Sequence, residues 1–214
     1  ITDKTIYGFQ QPTLIKINQH TSDVWVVEKG NNRIIRIDAS QGISALPDTI
    51  SSQNVTLFSA YFNGPEHLYV QDYYGGSLSN TVYVADFYDN EIERLSPSGN
   101  TYQRLSPVAS LATSPSMVSM ITLDLVNMIL VVSENGNLEL FEEQNTQNKT
   151  ILSGNYNFIK PHVMRVNPLT GECWIADNGS NQLVKIKIAS TTAYTLQRKI
   201  GGFLSIQDIA MQDP

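Results

Sequence analysis

VWVVEKGNNRIIRID (Val24 to Asp38) recurs as VYVADFYDNEIERLS (Val82 to Ser96), ILVVSENGNLELF (Ile129 to Phe141) and CWIADNGSNQLVKIK (Cys173 to Lys187). Each copy is an apolar run of strand length ending in Glu28, Asp86, Ser133 or Asp177, with Asn32, Asn90, Asn137 or Asn181 four positions later. An apolar run, a polar turn holding Asn or Gly, and a return run such as Ile35 and Ile37 read as a β-hairpin. The third copy departs: Leu138 and Leu140 sit one place out of phase, and Asn135-Gly136 predicts a tighter turn.

Upstream of every hairpin stands a second recurring feature, a Pro-led apolar strand: PTLIKI from Pro12, PEHLYV from Pro65, PSMVSM from Pro115 and PHVMRV from Pro161, with IQDIAM from Ile206 as a fifth copy lacking the Pro. Phe9, Phe62, Phe158 and Phe203 lie three residues before this position, and Ala112 takes the place in the third copy. Starts at 12, 65, 115, 161 and 206 set a repeat of 45 to 53 residues, which suits four strands per unit. The fourth strands fall at Val55 to Ala60, Tyr102 to Pro107, Thr150 to Ser153 and Tyr194 to Ile200. An outer strand at Thr5 to Phe9 and an inner strand at Ile206 to Met211 flank the repeats. Four-stranded antiparallel units without helical periodicity predict an all-β chain, a β-propeller of four full blades plus partial terminal strands, as one domain over residues 1–214.

The Pro-led strand, the apolar strand ending in Val-x-Asp and the Asn-x-Ile/Val that follows resemble the NHL-repeat family, most closely at VYVADFYDNEI and CWIADNGSNQLVKI. The resemblance covers nearly the whole chain and implies a ring of six blades, of which these repeats are part.

Composition narrows the partners. The 214 residues are 41% hydrophobic and 16% charged, enough for a sizeable core and too apolar for disorder. The most apolar window, Met117 to Val132, is broken by Asp124 and Asn127 and is too short to span a bilayer. Net charge is -6 with no basic run, which argues against nucleic acid. One cysteine, Cys173, rules out an internal disulfide framework. A start at Ile1 reads as a processed or partial chain. Sequons at Asn54, Asn148 and Asn178 point to a glycosylated, extracellular or cell-surface protein.

Ligand sites in propellers sit at a channel mouth, near the residues that begin the innermost strands. Directly after the Pro position come Thr13, Glu66, Ser116, His162 and Gln207, and one place further Leu14, His67, Met117, Val163 and Asp208. Glu66, His67, Ser116, His162 and Asp208 are therefore the ligand-binding candidates. Among them Glu66, His67, His162 and Asp208 are suitable donors for a divalent metal such as zinc or calcium, a similarity to lactonase-type and amidating-lyase propellers. The set reproduces neither family's ligands, and the main expectation is no cofactor. Tyr73 and Tyr74, in the inserted segment Asp72 to Asn80, form an adaptable contact surface.

Other repeated residues read as structural. Glu28, Asp86, Ser133 and Asp177 accept hydrogen bonds from turn amides. Trp25, Tyr83 and Trp174 fill gaps between units, Cys173 is a small buried apolar residue, and His20 sits in an exposed turn. No nucleophile elbow, zinc-protease helix, phosphate loop or dinucleotide fingerprint is present. The expectation is a non-catalytic binding or scaffold module for a protein or glycan partner. The alternatives are a structural subunit that assembles through its terminal strands, and a metal-dependent lactonase- or lyase-like enzyme.

Overall fold

A computed structural model describes residues 4–71, 80–98, 101–123, 126–143, 145–152, 156, 158–168 and 170–211, with side chains of 43, 98, 101–110 and 145–149 outside the description. Tyr73 and Tyr74 fall outside the described residues. The described chain forms four sheets, each of four sequential strands. The first sheet holds β1 (Pro12–Ile17), β2 (Val24–Glu28), β3 (Arg33–Ile37) and β4 (Val55–Phe58). The second holds β5 (Pro65–Val70), β6 (Val82–Asp86), β7 (Glu91–Ser98) and β8 (Thr101–Ser110). In the third are β9 (Pro115–Leu123), β10 (Val126–Ser133), β11 (Leu138–Glu142) and β12 (Asn145–Ile151). The fourth contains β13 (Pro161–Asn167), β14 (Glu172–Asp177), β15 (Gln182–Ile188) and β16 (Tyr194–Gly201).

Two compact units result, one of Ile1–Asp89 and Glu93–Ser106, the other of Asn90–Ile92 and Pro107–Pro214. In the first unit the period-two alternation of β2 sends Trp25 and Val27 to one face, where they join Ile34 and Phe58 against Leu68, Val70, Val82 and Val84 of the second sheet. Phe62, three residues before Pro65, plugs this layer and is itself buried. The opposite face of the first sheet, with Val26, Ile35 and Ile37, is packed by Ile50 and by Ile6, Phe9 and Leu46. In the second unit Leu130, Val132, Leu138 and Leu140 of the third sheet meet Met164, Cys173, Ile175, Val184 and Ile186 of the fourth, and Phe158 repeats the plug. Burial pushes the Cys173 thiol well up from its ordinary range, as expected for a core residue. Trp25 and Tyr83 are fully buried, whereas Trp174 is half-buried and lies under the Lys185 ammonium at 5.4 Å from the ring centre.

Three sequence expectations change. Thr5 to Phe9 is no strand: Gly8 has a φ of +103°, and Tyr7 makes only a single parallel bridge to Thr49, bonding Asp48 and Ile50. Ile206 to Met211 is likewise irregular, held by side chains instead of a ladder, since Asn178 bonds both the N–H and the carbonyl of Ile206 at 2.8 and 3.2 Å. The third change concerns the repeated Asn. Asn32, Asn90 and Asn181 adopt left-handed φ values of 48, 56 and 54°, but in the third hairpin Gly136 takes that place at +80°. Val132 pairs with Leu138 and Ser133 N–H bonds Asn137, so the loop is one residue shorter than where Glu28 pairs with Arg33. The left-handed position therefore moves back by one, onto the residue type that adopts it without steric cost.

Candidate functional site

Each sheet begins its inner strand in the same way. Pro12 pairs with Glu28, Pro65 with Asp86, Pro115 with Ser133 and Pro161 with Asp177. The next pairs are Leu14 with Val27, His67 with Ala85, Met117 with Val132 and Val163 with Ala176. One residue of every inner strand is thus skipped: Thr13, Glu66, Ser116 and His162 are bulge residues. A bulge breaks the ladder and re-aims the side chain, a device frequent beside functional sites. Thr13 and His162 are exposed, and Glu66 and Ser116 are half-buried. His67, the next residue, returns to the ladder and is only 7% exposed. The candidates at the first position therefore face outward, and His67 belongs to the body of the sheet.

The strand-end acids hold this geometry. Glu28 accepts the Gln10 amide at 2.6 Å, Asp86 the Asn63 amide at 3.0 Å, and Asp177 the amides of Ile159 and Lys160 at 3.1 and 2.7 Å. All these donors lie one or two residues before the inner-strand Pro, so the acids clasp the preceding loop and not only their own hairpin turn. Burial alone raises the Glu28 pKa, but Arg33, the Gln10 amide and Asn31 outweigh it and leave the carboxyl below its ordinary value. A depressed pKa contributes stability that is present above the unfolded value and lost as pH falls through the folded one. The chain is therefore expected to lose stability as pH drops below about 4.5, and Glu28→Gln to flatten that acid limb in pH-dependent denaturant melts. An unchanged acid limb in the variant would remove Glu28 from this role.

Around the bulges, Glu66 is paired with Lys29, which stands in the turn after Glu28, on the neighbouring sheet of the same unit. Asp208 is paired with Arg165 on β13. Neither cation was picked out by sequence reasoning, although Lys29 directly follows a strand-end acid. Both carboxylates thus already face cations, and among the described residues no group of three or more His, Cys, Asp or Glu stands close enough to hold a metal ion.

The remaining sites are simply placed. Asn54 is exposed in a turn, Asn148 lies on β12 with its side chain outside the described set, and the Asn178 side chain is committed to Ile206. His20 is exposed.

Four sequential, similarly built four-stranded sheets match solved structures over nearly the whole chain. A functionally unknown protein from Desulfotomaculum acetoxidans is 16% identical with a TM-score of 0.67, covering 93% of this chain and 60% of that one. The fold is a β-propeller. A protein described as a 6-phosphogluconolactonase from Bacteroides fragilis is 14% identical with a TM-score of 0.65, covering 91% of this chain and 56% of that one. Virginiamycin B lyase from Staphylococcus aureus is 13% identical with a TM-score of 0.60, covering 89% and 55%. No family model matches, and no curated protein does. The chain therefore spans little more than half the length of these propellers. They are seven-bladed, against the six blades implied by the NHL resemblance. In propeller terms each sheet is a blade, and each bulge residue begins an innermost strand, beside the turn that joins the second and third strands.

Proposed function

We propose that this chain supplies four blades of a propeller that binds, and acts on, a small polar ligand of the lactone type. The observation that carries the reading is the bulge repeated in all four blades, which turns Thr13, Glu66, Ser116 and His162 out of their ladders at the same register. The propellers described as a lactonase and a lyase lend it support through fold alone. In the second unit the exposed His162 imidazole serves as the general base, taking a proton from water or from a ligand carbon acid. The test is hydrolysis of glucono-δ-lactone by the full chain, followed by proton release above the spontaneous rate. His162→Ala is expected to lower the rate about a hundredfold, with unchanged circular dichroism. Absence of both turnover and binding of the lactone by the unmodified chain would sink the reading.

A second reading, a non-catalytic NHL-type scaffold at the cell surface, draws on one observation. Ile15 and Ile17 on β1 are 62% and 57% exposed, on the sheet face turned away from the second blade, a surface suited to a further blade or a protein partner. Its extracellular part predicts N-glycans, and an intact mass unchanged by glycan removal from native-source protein would exclude it.

A further inference from the structure

Three blades clasp the loop before their inner strand with a carboxylate, and the third does not. Its backbone is the same: Glu134 N–H bonds Ser114 O at 2.8 Å, as Lys29 bonds Gln11 at 3.2 Å, Phe87 bonds Gly64 at 3.1 Å and Asn178 bonds Lys160 at 3.0 Å. Ser133 pairs with Pro115 through the same bulge. The register position that carries Glu28, Asp86 and Asp177 is therefore filled by a side chain that ends one or two bonds sooner and has no charge. Ser133 is fully buried, and its hydroxyl meets no hydrogen-bond partner. The same holds for the buried hydroxyl oxygen of Thr113, the residue whose amide corresponds to those of Gln10, Asn63 and Ile159. The Ser114 hydroxyl is already given to Asn90 Oδ1 at 2.9 Å.

Two hydroxyls without a partner, those of Ser133 and Thr113, thus stand where the other blades hold a carboxylate. In the fourth blade the equivalent place holds a full negative charge on neutral donors: the Ile159 and Lys160 amides and the Ser180 hydroxyl, the last at 2.6 Å. Backbone amides in such a concave turn, joined by hydroxyls, are a recurrent anion-binding arrangement. We propose that the third blade binds a small monovalent anion beneath the Thr113–Ser114 loop, a halide or the carboxylate of a one- or two-carbon acid. Ser133 and Thr113 donate their hydroxyl protons to it, and it closes the blade as the built-in carboxylates close the others.

The experiment is thermal unfolding of the full chain in rising sodium chloride and, separately, sodium formate, with ionic strength held constant by sodium sulfate. The melting temperature is expected to climb and saturate with chloride or formate. Ser133→Asp, which supplies its own carboxylate, is expected to melt higher in sulfate alone and to lose the dependence, whereas Ser133→Ala shifts the half-saturating concentration up about tenfold. A melting temperature indifferent to both anions, or a Ser133→Asp variant that keeps the full dependence, overturns the proposal. Should Ser133→Asp fail to fold, crystals of the unmodified chain grown in bromide decide: anomalous density beside Thr113 N supports the site, and a water there in its stead refutes it.

Discussion

Asp177→Ala is expected to lower the melting temperature by about 10 °C. The side chain is 1% exposed and accepts two backbone amides and the Ser180 hydroxyl. Truncation takes the charged acceptor from the Ile159 and Lys160 N–H groups and the Ser180 hydroxyl, bonds worth roughly 1.5 kcal/mol each, or about 4 kcal/mol together. For a chain of this length each kcal/mol moves the midpoint by about 2 to 4 °C. Asp177→Asn keeps one carbonyl oxygen and is expected to lose about half as much. Calorimetry on the three proteins checks the order, and a melting temperature for the alanine variant within 2 °C of the parent would falsify the clasp.

Gly136→Ala is expected to cost about 2 to 4 kcal/mol, from two sources that a control separates. Its φ of +80° strains any residue with a Cβ, and that Cβ would sit 2.3 Å from the carbonyl oxygen and 3.0 Å from the amide nitrogen of Phe158. Backbone atoms beside a buried aromatic plug have little room to yield, so overpacking adds about 1 to 3 kcal/mol to a conformational cost near 1 kcal/mol. Gly42 has the same kind of backbone, φ +85°, but nothing within 4 Å of the added atom. Gly42→Ala should therefore show the conformational part alone. Equal losses in the two variants, read by urea denaturation, would mean that the close approach to Phe158 carries no weight.

The register of the candidate positions was legible in one dimension. Thr13, Glu66, Ser116 and His162 were placed at one register by counting from Pro, and the ladders keep them there. His67 illustrates the limit. Counting put it beside Glu66 as an equal candidate, but the bulge at Glu66 returns the next side chain to the sheet. A bulge has no strong signature in a short apolar strand, because it follows from the partner strand's register and not from the residue that is skipped.

By itself the sequence determined the repeat, the hairpins and the four four-stranded sheets. Strand alternation and turn chemistry act between residues a few positions apart, so Val24 to Asp38 carries the information for its own hairpin. Only the tertiary structure decided what the strand-end acids bond, since Glu28 and Asp86 reach amides 18 and 23 residues away. It also decided that Lys29 neutralises Glu66 across two blades, and that Thr5 to Phe9 and Ile206 to Met211 do not become strands. A strand needs a neighbour to take its backbone bonds, and whether one is present is a property of the assembled sheets and of no local run of residues.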